Sequence, residues 1–340
     1  MKAVIVSRFG PPEVLQFREM RAPVLREGMV RVEVRAVGLN FADIMGRLGV
    51  YPGIPNPPFI PGIEFSGEIL ETAEEVHMFK PGDRVMGFTP QGAYAPQVCV
   101  SAQHIRKMPP RMTYEEGAAF SVTYMSAWHG MKTLGQVRPG ETLLLHAAAG
   151  GVGTAALQLA KHWKVRVIAT ASTPVKLTVA KDLGAAHVVN YVEEDLRKRV
   201  REITGGRGVD LVMDSVGGSV FRKSWKLLAP MGRYVLYGFA SVTGARTLEK
   251  LRMLREVVQT PLIWPPNMVS KNVSLMGFNM YFLTDKSNYL HTVADELIKL
   301  YAKKVVRPVI GRTFSFEDVV AAHRWLQGRK SVGKVVMSVP

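Results

Sequence analysis

The sequence predicts an α/β chain in two parts: a β-rich barrel or sandwich-like unit, and a parallel doubly wound sheet inserted into it. Three patterns carry this expectation. Short runs with period-two alternation fill the first third, as in "MVRVEVRAVGLN", where Val30, Val32, Val34 and Val37 mark a buried face. From residue 142 to 277 apolar strands alternate with helix-length segments, the rhythm of βαβ units. The end of the chain, "PVIGRTFSF" and "GKVVMSV", returns to strand texture, so the alternating part is an insertion.

Taken in order, "MKAVIVSRFG" reads as a first strand, because its apolar run is too short for a secretory signal. The expected compartment is therefore the cytoplasm. Pro and Gly clusters at 52–62 and 81–92 break the following strands. At residue 113 the texture changes to helical spacing, and Thr113 followed by Glu116 is a capping-box pattern. Strands are expected at "TLLLHA", "VRVIAT", "AHVVNY", "VDLVMDSV", "GRYVLYGF" and "NVSLMGF", with helices near 152–162, 174–183, 193–203 and 218–228. Two more helices, near 286–303 and 317–328, precede the closing strand. The β-rich domain is placed at 1–122 and 280–340, and the nucleotide domain at 123–279.

Composition narrows the classes. With 340 residues, 47% of them hydrophobic, the chain can bury a core in each of two domains. Its one cysteine, Cys99, leaves no disulfide framework and no thiolate-rich zinc site. The apolar run around Ala147 to Ala160 is shorter than the roughly 20 residues of a membrane span. A net charge of +16 favours anionic ligands. The basic clusters at Arg197 to Arg201, Arg246 to Arg255 and Lys303 to Arg307 lack interleaved aromatics, so a solvated surface is expected rather than nucleic-acid binding.

The sharpest local signal is "HAAAGGVGTAALQLA". Gly150, Gly151, Val152 and Gly153 lie between an apolar strand and a helix, where small residues let the backbone approach a pyrophosphate and the helix start offers N–H groups. An acidic residue usually follows about 20 residues later and binds the ribose 2′-hydroxyl. Here the second strand ends Thr170, Ala171, Ser172, with no carboxylate before Asp182. Ser172, Lys176 and Tyr191 instead offer a hydroxyl, an ammonium and a phenol to a 2′-phosphate, so NADPH is the expected cofactor.

The segments "GPPEVLQ", "GLNFADIMGRLGVYPG", "PFIPGIEFSGEI", "KPGDRVMGF", "HAAAGGVG" and "RPVIGRTFSFEDVVAAHRWL" together resemble the zinc-free medium-chain dehydrogenase/reductases, in the quinone oxidoreductase (zeta-crystallin-like) group. The stretch "NMVSKNVSLMGFNMYFL" looks most like the vesicle-amine-transport-protein-like branch of that group. The resemblance implies a GroES-like β-rich domain that cradles substrate against a Rossmann domain, with NADPH in the cleft, and a homodimer. It places Gly238, Phe239 and Ala240, together with Phe278 and Asn279, beside the ribose and nicotinamide. Asn40 and Tyr51 match polar residues at the mouth of the site, and Ser126 stands where many relatives have Thr. Thr123 replaces a common Asn. Asn40 also stands where zinc-dependent relatives have Cys, and Ile63 where they have His, so no metal is expected.

Without a Lewis acid, the acceptor must already be activated, as a small-molecule quinone or α,β-unsaturated ketone is. Asn40, Tyr51 and Tyr124 are the candidate donors to the developing oxyanion, with solvent as an alternative proton source. Tyr51 is open to packing on the neighbouring prolines instead, Asn40 to bonding backbone at a turn, and Asp43 is expected to be a structural partner. His129, His146 and His162 share no ligand spacing and are expected in core or surface roles. Two other functions stay open. One is an NADPH-retaining protein that contacts RNA or an anionic membrane, the other an enoyl-thioester reductase.

Overall fold

In the computed structural model, which describes residues 1–240, 256 and 258–340, the chain divides into two compact units. Unit one comprises Met1–Met125 and Tyr281–Pro340, and unit two comprises Ser126–Met280.

Unit one opens with β1 (Lys2–Val6), paired antiparallel with β2 (Leu15–Glu19). Next come β3 (Met29–Leu39), α1 (Phe41–Arg47), β4 (Glu64–Thr72), β5 (Arg84–Phe88), β6 (Gln97–Ser101), β7 (Ile105–Lys107) and α2 (Tyr114–Ala118). A helix α3 (Ser121–Trp128) then leads into unit two. Val30, Val32, Val34 and Val37 are all fully buried. The wider step before Val37 coincides with a register shift against β4 between Val34 and Ala36. Thr113 and Glu116 do form the capping box at the start of α2.

Unit two runs β8 (Thr142–Leu145), α4 (Gly151–His162), β9 (Arg166–Ala171), α5 (Pro174–Asp182), β10 (His187–Asn190), α6 (Leu196–Ile203), β11 (Val209–Asp214), α7 (Gly218–Trp225), β12 (Leu228–Leu236), α8 (Pro265–Lys271) and β13 (Ser274–Gly277). Its strands lie in the order β10-β9-β8-β11-β12-β13, every pair parallel. The order reverses between β8 and β11. In such sheets a ligand sits outside the carboxyl ends of the strands at that switch point. The chain returns to unit one through α9 (Ser287–Ala302), β14 (Ile310–Ser315), α10 (Val319–Gln327) and β15 (Lys334–Ser338). These complete a sheet ordered β14-β15-β3-β4-β5-β7, with β6 also on β3.

One feature the periodicity does not announce is a π-helical turn at His129–Leu134, where Gly135 N–H donates to Gly130 O at 3.0 Å. Two of the three basic clusters fall within the described residues. Arg199 on α6 pairs with Glu194 and Glu202, and exposed Arg307 pairs with Glu116, while the cluster at 246–255 lies outside the described residues. Among the described residues no helix is long and apolar enough to cross a membrane.

Candidate active site

Unit two supplies a backbone cradle. Residues Ala147 to Gly150 turn sharply from β8 into α4. Ala147 takes a left-handed φ of 49°, a conformation that costs a non-glycine residue energy, and Gly150 N–H donates to Ala147 O at 2.9 Å. The first helical bond of α4 is Thr154 N–H to Gly150 O, 2.8 Å, so the N–H groups of Gly151, Val152 and Gly153 precede the ladder. No side chain caps them. A Cβ on Gly153 would stand 2.5 Å from the carbonyl oxygens of both Ala147 and Ala148, so only glycine closes this turn. An anionic group set against the turn meets donors and the positive end of a 12-residue helix.

His146, just before the turn, is 2% exposed and bonds Thr170 Oγ1 at 3.0 Å and Ser224 Oγ at 2.8 Å. Burial pushes its pKa down, which keeps the ring neutral. It is a core residue that ties β8, β9 and α7 together. His129 is likewise buried, and its ring meets Phe278 edge-on at 4.8 Å.

The end of β9 carries Ser172, half-buried, and Lys176 follows within the first turn of α5. Tyr191 N–H donates to Ala171 O at 3.3 Å, which continues the β9–β10 pairing and brings Tyr191 beside the same strand end. Asp182 is the final residue of α5. At 1.5 Å per residue it lies roughly 12 Å along the helix from the strand end. Further along the sheet, Ala240 N–H donates to Ser215 O at 3.0 Å, and a Cβ on Gly238 would stand 2.9 Å from that oxygen. The ends of β11 and β12 therefore meet closely. Phe278, past β13, stacks on Tyr237 with ring centroids 5.5 Å apart, and Asn279 follows it, half-buried. Ser126 is 5% exposed, and the Thr123 hydroxyl, in unit one, donates to the carbonyl oxygen of Ala119, at the end of α2, at 2.6 Å.

Unit one supplies a buried charge cluster. Leu39 on β3 pairs with Val335 on β15, and Val37 pairs with Phe65 on β4. That register brings Asn40, Glu64 and Lys334 to one end of three adjacent strands. Lys334 Nζ donates to Glu64 Oε2 at 2.5 Å and to Asn40 Oδ1 at 2.6 Å, with side-chain exposures of 4% for Lys334 and 0% for Glu64. Asn40 Nδ2 donates to Glu64 Oε2 at 2.9 Å and to Gly38 O at 3.2 Å. Both amide hydrogens of Asn40 are thus committed. Contrary to the expectation that Asn40 donates to an acceptor, its amide hydrogens are taken up by Glu64 and Gly38. Glu64 Oε1 also accepts Val122 N–H at 2.7 Å. Asp43 Oδ2 accepts Asn40 N–H at 2.7 Å as the N-terminal partner of α1, which is the structural role expected of it. Burial raises its pKa to about 7, opposed by the Asn40 N–H and the Lys334 charge.

Tyr51, half-buried in the loop after α1, meets the ring of Tyr281 edge-on at 5.9 Å. Tyr124 is 1% exposed, and its ring stacks on Phe120 at 4.7 Å. Tyr51 is the more exposed of these two tyrosines. Among the described residues no group of three or more His, Cys, Asp and Glu side chains is placed to hold a metal ion.

Comparison with known proteins agrees with this architecture. Residues 26–110 match the alcohol dehydrogenase GroES-like domain, and residues 151–298 match the domain described as zinc-binding dehydrogenase. A quinone oxidoreductase of Pseudomonas aeruginosa is 33% identical over 99% of both chains. The chain belongs to the quinone oxidoreductase group of the medium-chain dehydrogenase/reductases. Within this group, the synaptic vesicle membrane protein VAT-1 homolog of Rattus norvegicus is 36% identical over 99% of this chain and 84% of its own length. The solved structure of Escherichia coli quinone oxidoreductase complexed with NADPH matches with a TM-score of 0.89 at 29% identity, covering 99% of this chain and 100% of that one. The group's two domains are the β-rich and parallel-sheet units that the strand patterns predict.

Proposed function

We propose that the chain is an NADPH-dependent oxidoreductase that passes hydride, without zinc, to quinones or α,β-unsaturated carbonyls. The observation that carries this reading is the turn into α4, three N–H groups with no capping side chain and no room for a Cβ at Gly153. Such a turn fits a pyrophosphate. The end of β9, where Ser172 and Lys176 stand in place of a carboxylate, fits a 2′-phosphate, since an acid there would repel it. The E. coli relative was solved with NADPH, in line with that choice. Gly238, Phe239, Ala240, Phe278 and Asn279 at the strand ends would flank the ribose and nicotinamide. When bound, NADPH supplies a hydride from the nicotinamide ring.

The chain's own part is positional and electrostatic. Where zinc-dependent relatives place a cysteine, Asn40 accepts from the Lys334 ammonium, and that cation also neutralises Glu64. The zinc-free reading rests on this exchange of a metal for a fixed internal cation. Tyr51 is the donor to the developing oxyanion, and one such bond contributes about 3 kcal/mol in comparable sites. Solvent supplies the remaining proton. We further propose a cytoplasmic homodimer. The dimer reading draws on β13, the last strand of its sheet, which pairs with β12 and has no buried residue.

Addition of a small quinone to the protein and NADPH should oxidise the nucleotide, with NADH a poorer donor. Intact NADPH binding with negligible turnover across a panel of quinones, enones and enoyl thioesters would overturn the proposal.

A further inference from the structure

Tyr281 is the first residue of unit one after the return from β13, two residues beyond Asn279. Its ring lies against the crest of the loop that carries Tyr51. The Tyr281 hydroxyl donates to Gly53 O at 3.3 Å. A Cβ on Gly53 would stand 2.8 Å from Tyr281 Cε1, and Gly53 has a φ of +81°, so both the contact and the backbone require glycine there. The same loop is held at two other points. The Phe9 ring covers Gly49, whose Cβ would lie 2.8 Å from it, and Ile54 sits over Gly46 of α1 at 3.2 Å from the equivalent position.

Tyr281 therefore bridges Tyr51, which it meets edge-on, and Phe282, whose ring is 5.2 Å away at 83° and whose residue is 56% exposed. Three aromatics are thus joined by two edge-to-face contacts into a ledge beside the loop. A flat ring acceptor gains matching contacts from such a ledge, and a linear enone does not.

We propose that Tyr281 is a positioning residue that holds the Tyr51 loop in place, and that the Tyr51–Tyr281–Phe282 ledge makes the protein prefer ring acceptors to linear ones. This rests on the reading of Tyr51 as an acceptor-side residue. Tyr281 itself acts through Tyr51 and through the Gly53 carbonyl.

The test compares wild type with Tyr281→Ala and Tyr281→Phe by hydrogen exchange of the segment 48–58 and by steady-state kinetics with NADPH, using 1,4-naphthoquinone and 3-penten-2-one. Removal of the ring should speed exchange of that segment by about tenfold, because a local opening loses its clamp. For naphthoquinone, KM should rise about tenfold with kcat changed less than threefold, the signature of lost positioning for a bound acceptor. KM for the linear enone and the Kd for NADPH should stay within about twofold of wild type. Tyr281→Phe, which keeps the ring and loses only the bond to Gly53 O, should restore most of both effects.

Unchanged exchange in Tyr281→Ala would overturn the clamp. Equal KM shifts for both acceptors, or none, would overturn the ring preference. A wild-type protein that reduces neither acceptor would sink the acceptor reading and the preference with it, while the exchange data would still decide whether Tyr281 holds the loop.

Discussion

The two units build their candidate residues by opposite means. At the turn into α4, unit two presents almost nothing but backbone: Gly150, Gly151 and Gly153 carry no side chain, and no side chain caps the helix N–H groups. Unit one is built of side chains, with Lys334, Glu64 and Asn40 bonded to one another in the interior. A cradle made of backbone tolerates no added atom. A cluster of buried charges tolerates no missing one. The two regions should therefore fail in different ways when altered.

The largest effect is expected in the charge cluster. Lys334→Met leaves the Glu64 carboxylate buried without its cation, which costs about 3–5 kcal/mol of stability in comparable sites and is measurable by chemical denaturation. The double variant Lys334→Met/Glu64→Gln should recover most of that loss, since the uncompensated charge is gone. If the single variant is as stable as wild type, Glu64 is not held as a buried anion and the contrast between the halves dissolves.

Next comes the cradle. Gly153→Ala places a methyl group 2.5 Å from two carbonyl oxygens, and the turn must shift to admit it. NADPH affinity, followed by nucleotide fluorescence, should fall about 30- to 100-fold, or about 2–3 kcal/mol, with the displaced donors. Lys176→Ala is milder. Loss of one charged contact to a 2′-phosphate should weaken NADPH about tenfold and leave NADH nearly unchanged. Equal losses for both nucleotides would remove Lys176 from the phosphate pocket.

A separate signal lies in the pH dependence of stability. Asp43 is raised by burial from 3.8 to about 7, so the folded protein holds a proton there that the unfolded chain has released. The contribution is fully present below about pH 4 and is lost as pH rises to about 7. His323, pushed down to about 3 by burial and the Arg47 charge, slopes the other way: its contribution is present above pH 6.5 and lost as pH falls toward 3. The comparison with Asp43→Asn isolates the first group. Wild type should lose stability relative to that variant between about pH 4 and 7, and parallel curves would show that Asp43 does not titrate there.

The contrast also explains what could be read from the sequence. The cradle is local, since glycine spacing, the preceding apolar strand and the following helix all fall within "TLLLHAAAGGVGTAALQLA". The strands of the inserted unit were legible for the same reason, each being a short apolar run between turns. Helix starts were less so: α6 begins at Leu196 rather than 193, because Asp195 caps it through the Lys198 N–H at 2.8 Å. The charge cluster joins residues 270 and 294 positions apart, and no window of sequence holds both ends. Lys334 in "SVGKVV" reads as an ordinary strand-start lysine until the β3–β15 register sets it beside Asn40. The burial of Tyr124 was hidden too, since a tyrosine in a helix gives no sign of which side its ring faces. Tyr281 carries no local signal either, because the glycine it bonds, Gly53, lies 228 positions away.

The most direct measurement of the account is the pair of dissociation constants for NADPH and NADH on the wild-type protein, read from nucleotide fluorescence at fixed salt. A cradle with hydroxyl and ammonium groups at the end of β9 and no carboxylate there predicts NADPH binding tighter by tenfold or more, about 1.4 kcal/mol. Equal affinities, or a preference for NADH, would contradict it.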